Sequence, residues 1–205
     1  MKVFYLRNVF LNCPFDKNYL SIFHALLFTL FECGYIPRSA LEIDDSSEVR
    51  IDKIMRIISQ CRYGIHDISR TEPDEKTKLP RFNMPLELGI FLGAKRFGKN
   101  KQKKKTCLIL DRTPYRYQRF ISDIAGQDIQ AHNNDYSEVI TIVRNWIRNT
   151  SGRATIPGGS EILRRYRLFQ TELPDLCRKL KLNTDELIFN DYSNIVYRWL
   201  KENPA

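Results

Sequence analysis

Residues 65–94 read IHDISRTEPDEKTKLPRFNMPLELGIFLGA, and the division of this stretch decides the fold. Residues 63–68 are a short apolar run whose end carries Asp67 and Ser69, the pattern of a buried strand. A loop of charged residues and prolines follows. Asn83-Met84-Pro85 then opens a helix: proline suits a first helical turn, and Asn83 suits the cap before it. Glu87 is the one acid on a body otherwise made of Leu86, Leu88, Ile90, Phe91 and Leu92. One reading makes Glu87 a charge favoured by the helix dipole and Asp67 a turn residue. The other is functional: ligands of open α/β sheets lie beyond the carboxyl ends of the strands, where both acids would project. Gly89 and Gly93, at i and i+4, would let this helix approach the sheet closely.

Moving outward, the same alternation recurs. Residues 3–12 (VFYLRNVFLN) are expected to form the first strand, with Cys13-Pro14-Phe15-Asp16 as the turn after it. Residues 18–33 form a helix apolar on most sides, hence one covered by other elements, with Gly34 at its C-cap. Residues 35–43 are a second strand, placed at an edge by Pro37. Residues 48–61 carry apolar positions at the helical period. Arg50, near that helix start, could reach a phosphate or pair with Asp44 or Asp45. Residues 106–111 (TCLILD) read as a buried parallel strand, 120–128 as a short helix, 129–131 as a weak edge strand and 137–148 as an amphipathic helix. The expected fold is α/β: a flavodoxin-like, doubly wound parallel sheet.

Thr150 to Gly159 reads as a linker, dividing residues 1–150 from 151–205. Beyond it the pattern is helical only, at 160–170 with Ser160 as N-cap, then 173–181, 184–187 and 192–201. So short a tail cannot hold a core alone and should dock on the sheet domain or on a second copy.

The 205-residue chain is 42% hydrophobic, which supports a packed core rather than a disordered chain. The apolar run at 19–31 is too short to span a bilayer, and residues 1–16 lack a signal-peptide pattern, so a cytoplasmic protein is expected. Five cysteines without CxxC spacing argue against disulfides and a zinc site. His24 has no second histidine at metal spacing and reads as a packed residue. Cys13 lies where a strand ends; a nucleophilic role would need an activating base, and packing of a small thiol is the plainer reading. The net charge of +9 suits nucleotides, nucleic acid or an acidic partner. The basic run 96–105 (RFGKNKQKKK) reads as a solvated loop, with a polyphosphate contact as the alternative; the absence of aromatics among its lysines speaks against single-strand nucleic-acid binding.

The opening VFLNCPFD, the strand ending in Asp67 and the segment Asn83-Met84-Pro85-Leu86-Glu87-Leu88-Gly89 resemble the superfamily that unites TIR domains and nucleoside 2-deoxyribosyltransferases, including small TIR-like proteins of bacterial anti-phage defence. The resemblance covers about residues 3–148. It implies a TIR/deoxyribosyltransferase-like sheet with a helical appendage, and cleavage of an N-glycosidic bond with Glu87 as the catalytic carboxylate. Where the transferases carry aspartates before the glutamate, this chain has Arg81 and Asn83. Asn12, Cys13, Pro14, Phe15, Asp16, Asp67, Ser69 and Asn83 are the candidates for lining the site and holding ribose or base, and Arg50 and Arg81 for the pyrophosphate. One acid suffices when the leaving group is cationic nicotinamide, so NAD is the expected substrate, cleaved or cyclised, with no further cofactor. Self-association through the C-terminal helices and a partner defence protein are expected; a membrane and nucleic acid are not. The alternatives are a non-catalytic nucleotide-binding or assembly module, and a nucleoside deoxyribosyltransferase.

Overall fold

The computed structural model describes residues 2–73 and 78–204; residues 74–77 of the expected polar loop lie outside the described residues. Five strands, β1 (Asn8–Asn12), β2 (Ile36–Arg38), β3 (Tyr63–Asp67), β4 (Thr106–Asp111) and β5 (Gln130–Ala131), form one all-parallel sheet in the order β2-β1-β3-β4-β5. The strand order reverses between β1 and β3, and the crevice at that switch point is where doubly wound sheets bind ligands.

Alternation along the strands assigns side chains to two faces. Val9, Leu11, Tyr63, Ile65, Leu108 and Leu110 enter the larger core, while Phe10, Ile109 and the ring of His66 point the other way. The larger core is closed by α2 (Leu20–Glu32) and α5 (Tyr136–Ser151), with α6 (Gly159–Lys179) and α7 (Phe189–Glu202) packed on them. The opposite face is covered by α3 (Arg50–Ser59) and α4 (Asn83–Phe97). Burial on both faces is why the strands read as continuous apolar runs.

The tail is part of this core. Phe169, Leu173, Tyr192, Val196 and Trp199 join the cluster built on α2 and α5. Arg165 ties three helices together: its Nε donates to Glu32 Oε1 of α2 at 2.9 Å and its Nη2 to Asn203 O, just beyond α7, at 2.6 Å. The expected break near residue 171 does not occur. The α6 helix runs through Pro174 because Ile162, Tyr166, Phe169, Leu173 and Cys177 form one continuous buried stripe, and that packing outweighs the backbone bond lost at proline.

Several expected boundaries move, each for a local reason. Residues 2–5 form a helical turn, α1 (Lys2–Tyr5), rather than the start of a strand. The ladder begins only where neighbours exist, with Asn8 opposite Ile36 and Val9 opposite Tyr63. Strand β2 stops at Arg38, whose guanidinium grips Glu42 at 2.7 and 2.5 Å and turns the chain back. Asn83 is not a cap: it lies inside α4, and Phe82 takes the cap position without a side-chain bond. Ser160 likewise lies inside α6, capped by Gly158. Residues 120–128 contain only a 3-10 turn, Ser122–Ile124.

Gly89 and Gly93 have open space where a Cβ would stand, so they do not bring α4 onto the sheet. The close approach is on the strand. A Cβ on Gly64 would lie 2.7 Å from His66 Nε2 and 2.8 Å from the Phe91 ring. The basic run begins in the last turn of α4 and continues as a 3-10 helix, Asn100–Lys104, and its last lysine is not solvated. Lys105 is buried, with its ammonium donating to Ile58 O at 2.6 Å and Cys61 O at 2.5 Å, closing the end of α3.

Candidate functional site

A cavity of about 410 Å3 opens at the carboxyl ends of β1 and β3. Its floor is the turn Asn12, Cys13, Pro14, Phe15 and Asp16; its walls are Arg50 at the start of α3, Arg70 and Arg81 from the β3–α4 loop, and Asn83, Met84 and Glu87 from α4. Nine of the eleven residues singled out in the sequence therefore meet here: Asn12, Cys13, Pro14, Phe15, Asp16, Arg50, Arg81, Asn83 and Glu87. Asp67 and Ser69 do not. Arg70 and Met84 were not anticipated; a guanidinium just past a strand end was the available signal for Arg70.

Glu87 lies in the second turn of α4, past the residues whose free N–H groups favour an acid. It is 8% exposed and, among the described residues, has no hydrogen-bond or ion-pair partner. Burial raises its pKa from 4.5 to about 7, against the lowering pull of Arg50. Arg50 itself makes no hydrogen bond or ion pair among the described residues; neither Asp44 nor Asp45 engages it, and Asp45 accepts from Ser47 instead. Asp16 caps the 3-10 turn Lys17–Tyr19 through Asn18 N at 3.1 Å and faces Arg70 at 3.4 Å. The cleft thus carries three arginines against two acids, one of which, Glu87, is only partly ionised near neutrality.

Asn12 fixes the position of α4. Its amide nitrogen donates to Met84 O at 2.8 Å and lies 3.0 Å from His66 Nδ1, which accepts. The His66 ring is neutral: burial, with Lys105 adding to it, lowers its pKa to about 3. The first turn of α4, and with it Glu87, is hung from β1 through this bond.

Asp67 is fully buried beneath the cleft. Tyr19 Oη donates to its Oδ2 at 2.5 Å, the Ser69 N–H to Oδ1 at 2.8 Å, and His132 Nε2 stands 3.1 Å from Oδ2. The Asn134 N–H donates to His132 Nδ1 at 3.1 Å, which leaves the ring proton on Nε2, facing the acid. Burial alone would raise the Asp67 pKa, but His132, Ser69 and Tyr19 together hold it below the usual carboxylate range. Asp67 is a brace joining β3, the β5 exit and the entrance to α2. Ser69 is buried beside it, its hydroxyl unbonded. At the end of β4, Asp111 accepts through Oδ1 from Arg116 Nε at 2.8 Å and the Arg112 N–H at 2.7 Å, while its Oδ2 is buried without a hydrogen bond and burial raises its pKa.

Cys13 lines the cleft but is not poised to attack. Burial, then Asp67 and Glu87, push its thiol well above the ordinary value, and only the thiolate is a nucleophile. Among the described residues no group of three or more His, Cys, Asp or Glu side chains is arranged to hold a metal, and no helix is long and apolar enough to cross a membrane. Comparison with family models, with curated proteins and with solved structures finds no match to this chain.

Proposed function

We propose that the chain is a nucleotide N-glycosidase of the TIR/deoxyribosyltransferase-like kind, with a flavodoxin-like sheet and Glu87 as its catalytic carboxylate. The observation that carries this reading is a nearly buried, unpartnered carboxyl in a cleft otherwise ringed by Arg50, Arg70 and Arg81. Guanidinium groups fit phosphate oxygens in forked geometry. An ionised carboxylate beside the anomeric carbon stabilises the positive charge that develops as the N-glycosidic bond breaks. Since Asp67 is committed to its brace and Asp16 to Asn18 N and Arg70, Glu87 acts as a single acid. That suits a leaving group that departs without a proton, as nicotinamide does from NAD. With its pKa near 7, the same carboxyl can afterwards take a proton from the attacking water or ribose hydroxyl.

The test is incubation with a panel of nucleotides, NAD among them, read by mass spectrometry, with Glu87→Gln as control. Release of the base by the wild type and its loss in the variant are expected. Turnover that survives in Glu87→Gln refutes the assignment. The proposed setting, anti-phage defence with self-association through the C-terminal helices, follows the same resemblance. It is checked by light scattering and by phage plating on cells carrying Glu87→Gln.

A further inference from the structure

A second cavity of about 420 Å3 adjoins the Glu87 cleft. The two share Phe15, Asp16 and Arg50 in their walls, so they are neighbours with Arg50 between them. The far wall of the second cavity is not part of the sheet domain. It is made by Leu187, Ile188, Phe189 and Asn190, where the tail enters α7. Asn190 Nδ2 donates to Glu42 O at 3.2 Å, which pins this wall to the segment after β2.

The chemistry of the second cavity differs from that of the first. Phe23, Ile43, Leu187 and Ile188 give it an apolar lining, to which Asp16 and Asp44 add two carboxylates. His24 stacks face to face on Tyr192 in the wall of the cavity, at 3.7 Å between ring centroids and 8° between planes, with Tyr192 itself buried. Burial lowers the His24 pKa to about 4, so that ring is uncharged at neutral pH. Apolar walls with two carboxylates among them suit a nucleobase with its ribose hydroxyls.

From this arrangement we infer that the site is bipartite and takes a pyrophosphate-linked dinucleotide. The inference rests on the N-glycosidase reading for the first half: the base to be released and its ribose lie at Glu87. The pyrophosphate crosses Arg50, the cation common to both cavities, which makes no hydrogen bond or ion pair among the described residues. The helix α3 begins at Arg50 with no side-chain cap, so the positive end of its dipole favours an anion there. The second nucleoside occupies the cavity closed by the tail. The C-terminal appendage is thereby a specificity element: it selects a dinucleotide over a mononucleotide.

The experiment measures binding, not turnover. Calorimetric titration of the full-length Glu87→Gln protein with NAD and with nicotinamide mononucleotide gives the ratio of the two affinities. A second titration uses the same protein with Ile188→Glu, which sets a negative charge in the apolar wall at a position 61% exposed, so folding is spared. The dinucleotide is expected to bind at least roughly tenfold tighter than the mononucleotide, a difference of about 1.4 kcal/mol, and Ile188→Glu to bring the ratio near one. Equal affinities, no binding of either probe, or a ratio that Ile188→Glu leaves intact would overturn the bipartite site. The cleavage reading fails separately: a tenfold dinucleotide preference with no turnover by the wild type refutes catalysis and leaves the second subsite standing.

Discussion

Replacing Glu87 with Gln should stabilise the folded chain in alkaline buffer and change it little in acid. Burial lifts the Glu87 pKa from 4.5 to about 7 in the folded state, whereas in the unfolded chain the carboxyl titrates near ~4.3. A carboxyl whose folded pKa is raised above its unfolded value imposes no penalty below the unfolded pKa. Its penalty grows as pH rises and is complete above the folded pKa. The full cost of ionising Glu87 in place is on the order of 3 kcal/mol. Between about pH 5 and pH 8 it changes by roughly 2 kcal/mol. Gln fills the same space and never ionises, and the Cys13 thiol, which Glu87 also pushes up, is held well above this pH range by its burial. The difference in unfolding free energy, variant minus wild type, should therefore rise by that amount between the two pH values. For a chain of this size it corresponds to roughly 4–8 °C in melting temperature. Urea unfolding and differential scanning calorimetry at matched ionic strength measure it. A difference that does not vary with pH would refute the buried, unpaired carboxyl on which the site is built.

Arg50→Ala should weaken nucleotide binding by roughly ten- to a hundredfold, the usual weight of a charge-assisted hydrogen bond, as read by titration. Because Arg50 lowers the Glu87 pKa, the same variant should move the Glu87 titration above about 7; a midpoint that stays put or falls would show that the two side chains do not sense each other. Arg165→Ala should cost about 3–5 kcal/mol in urea unfolding by leaving the Glu32 carboxylate buried and alone, and tail and sheet domain should still unfold together because they share one core. Two separated unfolding transitions would contradict that shared core.

How much of this was legible in the chain follows from what each feature depends on. The strands at 63–67 and 106–111 and the helices over 20–32 and 136–151 were legible because burial on both faces, or on one broad face, writes itself as a run or a period. The grouping of the β1 turn with Glu87 and Arg50 was legible from the rule that ligands sit beyond strand ends. Partnership was not. Nothing in the spacing of Tyr19, Asp67 and His132 says that residues 48 and 65 positions apart will meet. Asp67 therefore read as a ligand group when its lone pairs were already taken. Lys105 closed a run of basic residues and read as solvent-facing; only the fold brings the carbonyls of Ile58 and Cys61 to its ammonium. The tail was legible as helical and as needing a surface, but the cavity it closes at Leu187–Asn190 depends on where α7 lands relative to the segment after β2, which no local pattern encodes.

The two acids at the end of β3 and in α4 show how one crevice separates support from chemistry. Both are withdrawn from water, so both pay for ionisation. Asp67 recovers that cost through Tyr19, Ser69 and His132, and its pKa ends below the ordinary range. A carboxylate so fully bonded is a poor base and has no lone pair turned toward a ligand. Glu87 has only the distant pull of Arg50, and its pKa ends near 7. It can exist in either state at neutral pH, and the charged state lacks a partner until a ligand supplies one. An oxocarbenium-like ribose is such a partner: its positive charge appears only as the bond to the base breaks. The stabilisation withheld from Glu87 in the empty site would then be realised in the transition state and not in the ground state, the condition under which a carboxylate accelerates a reaction rather than merely binding its substrate. Exchanging the two environments, by giving Glu87 a fixed hydrogen-bond donor, would raise stability above pH 7 and abolish that advantage.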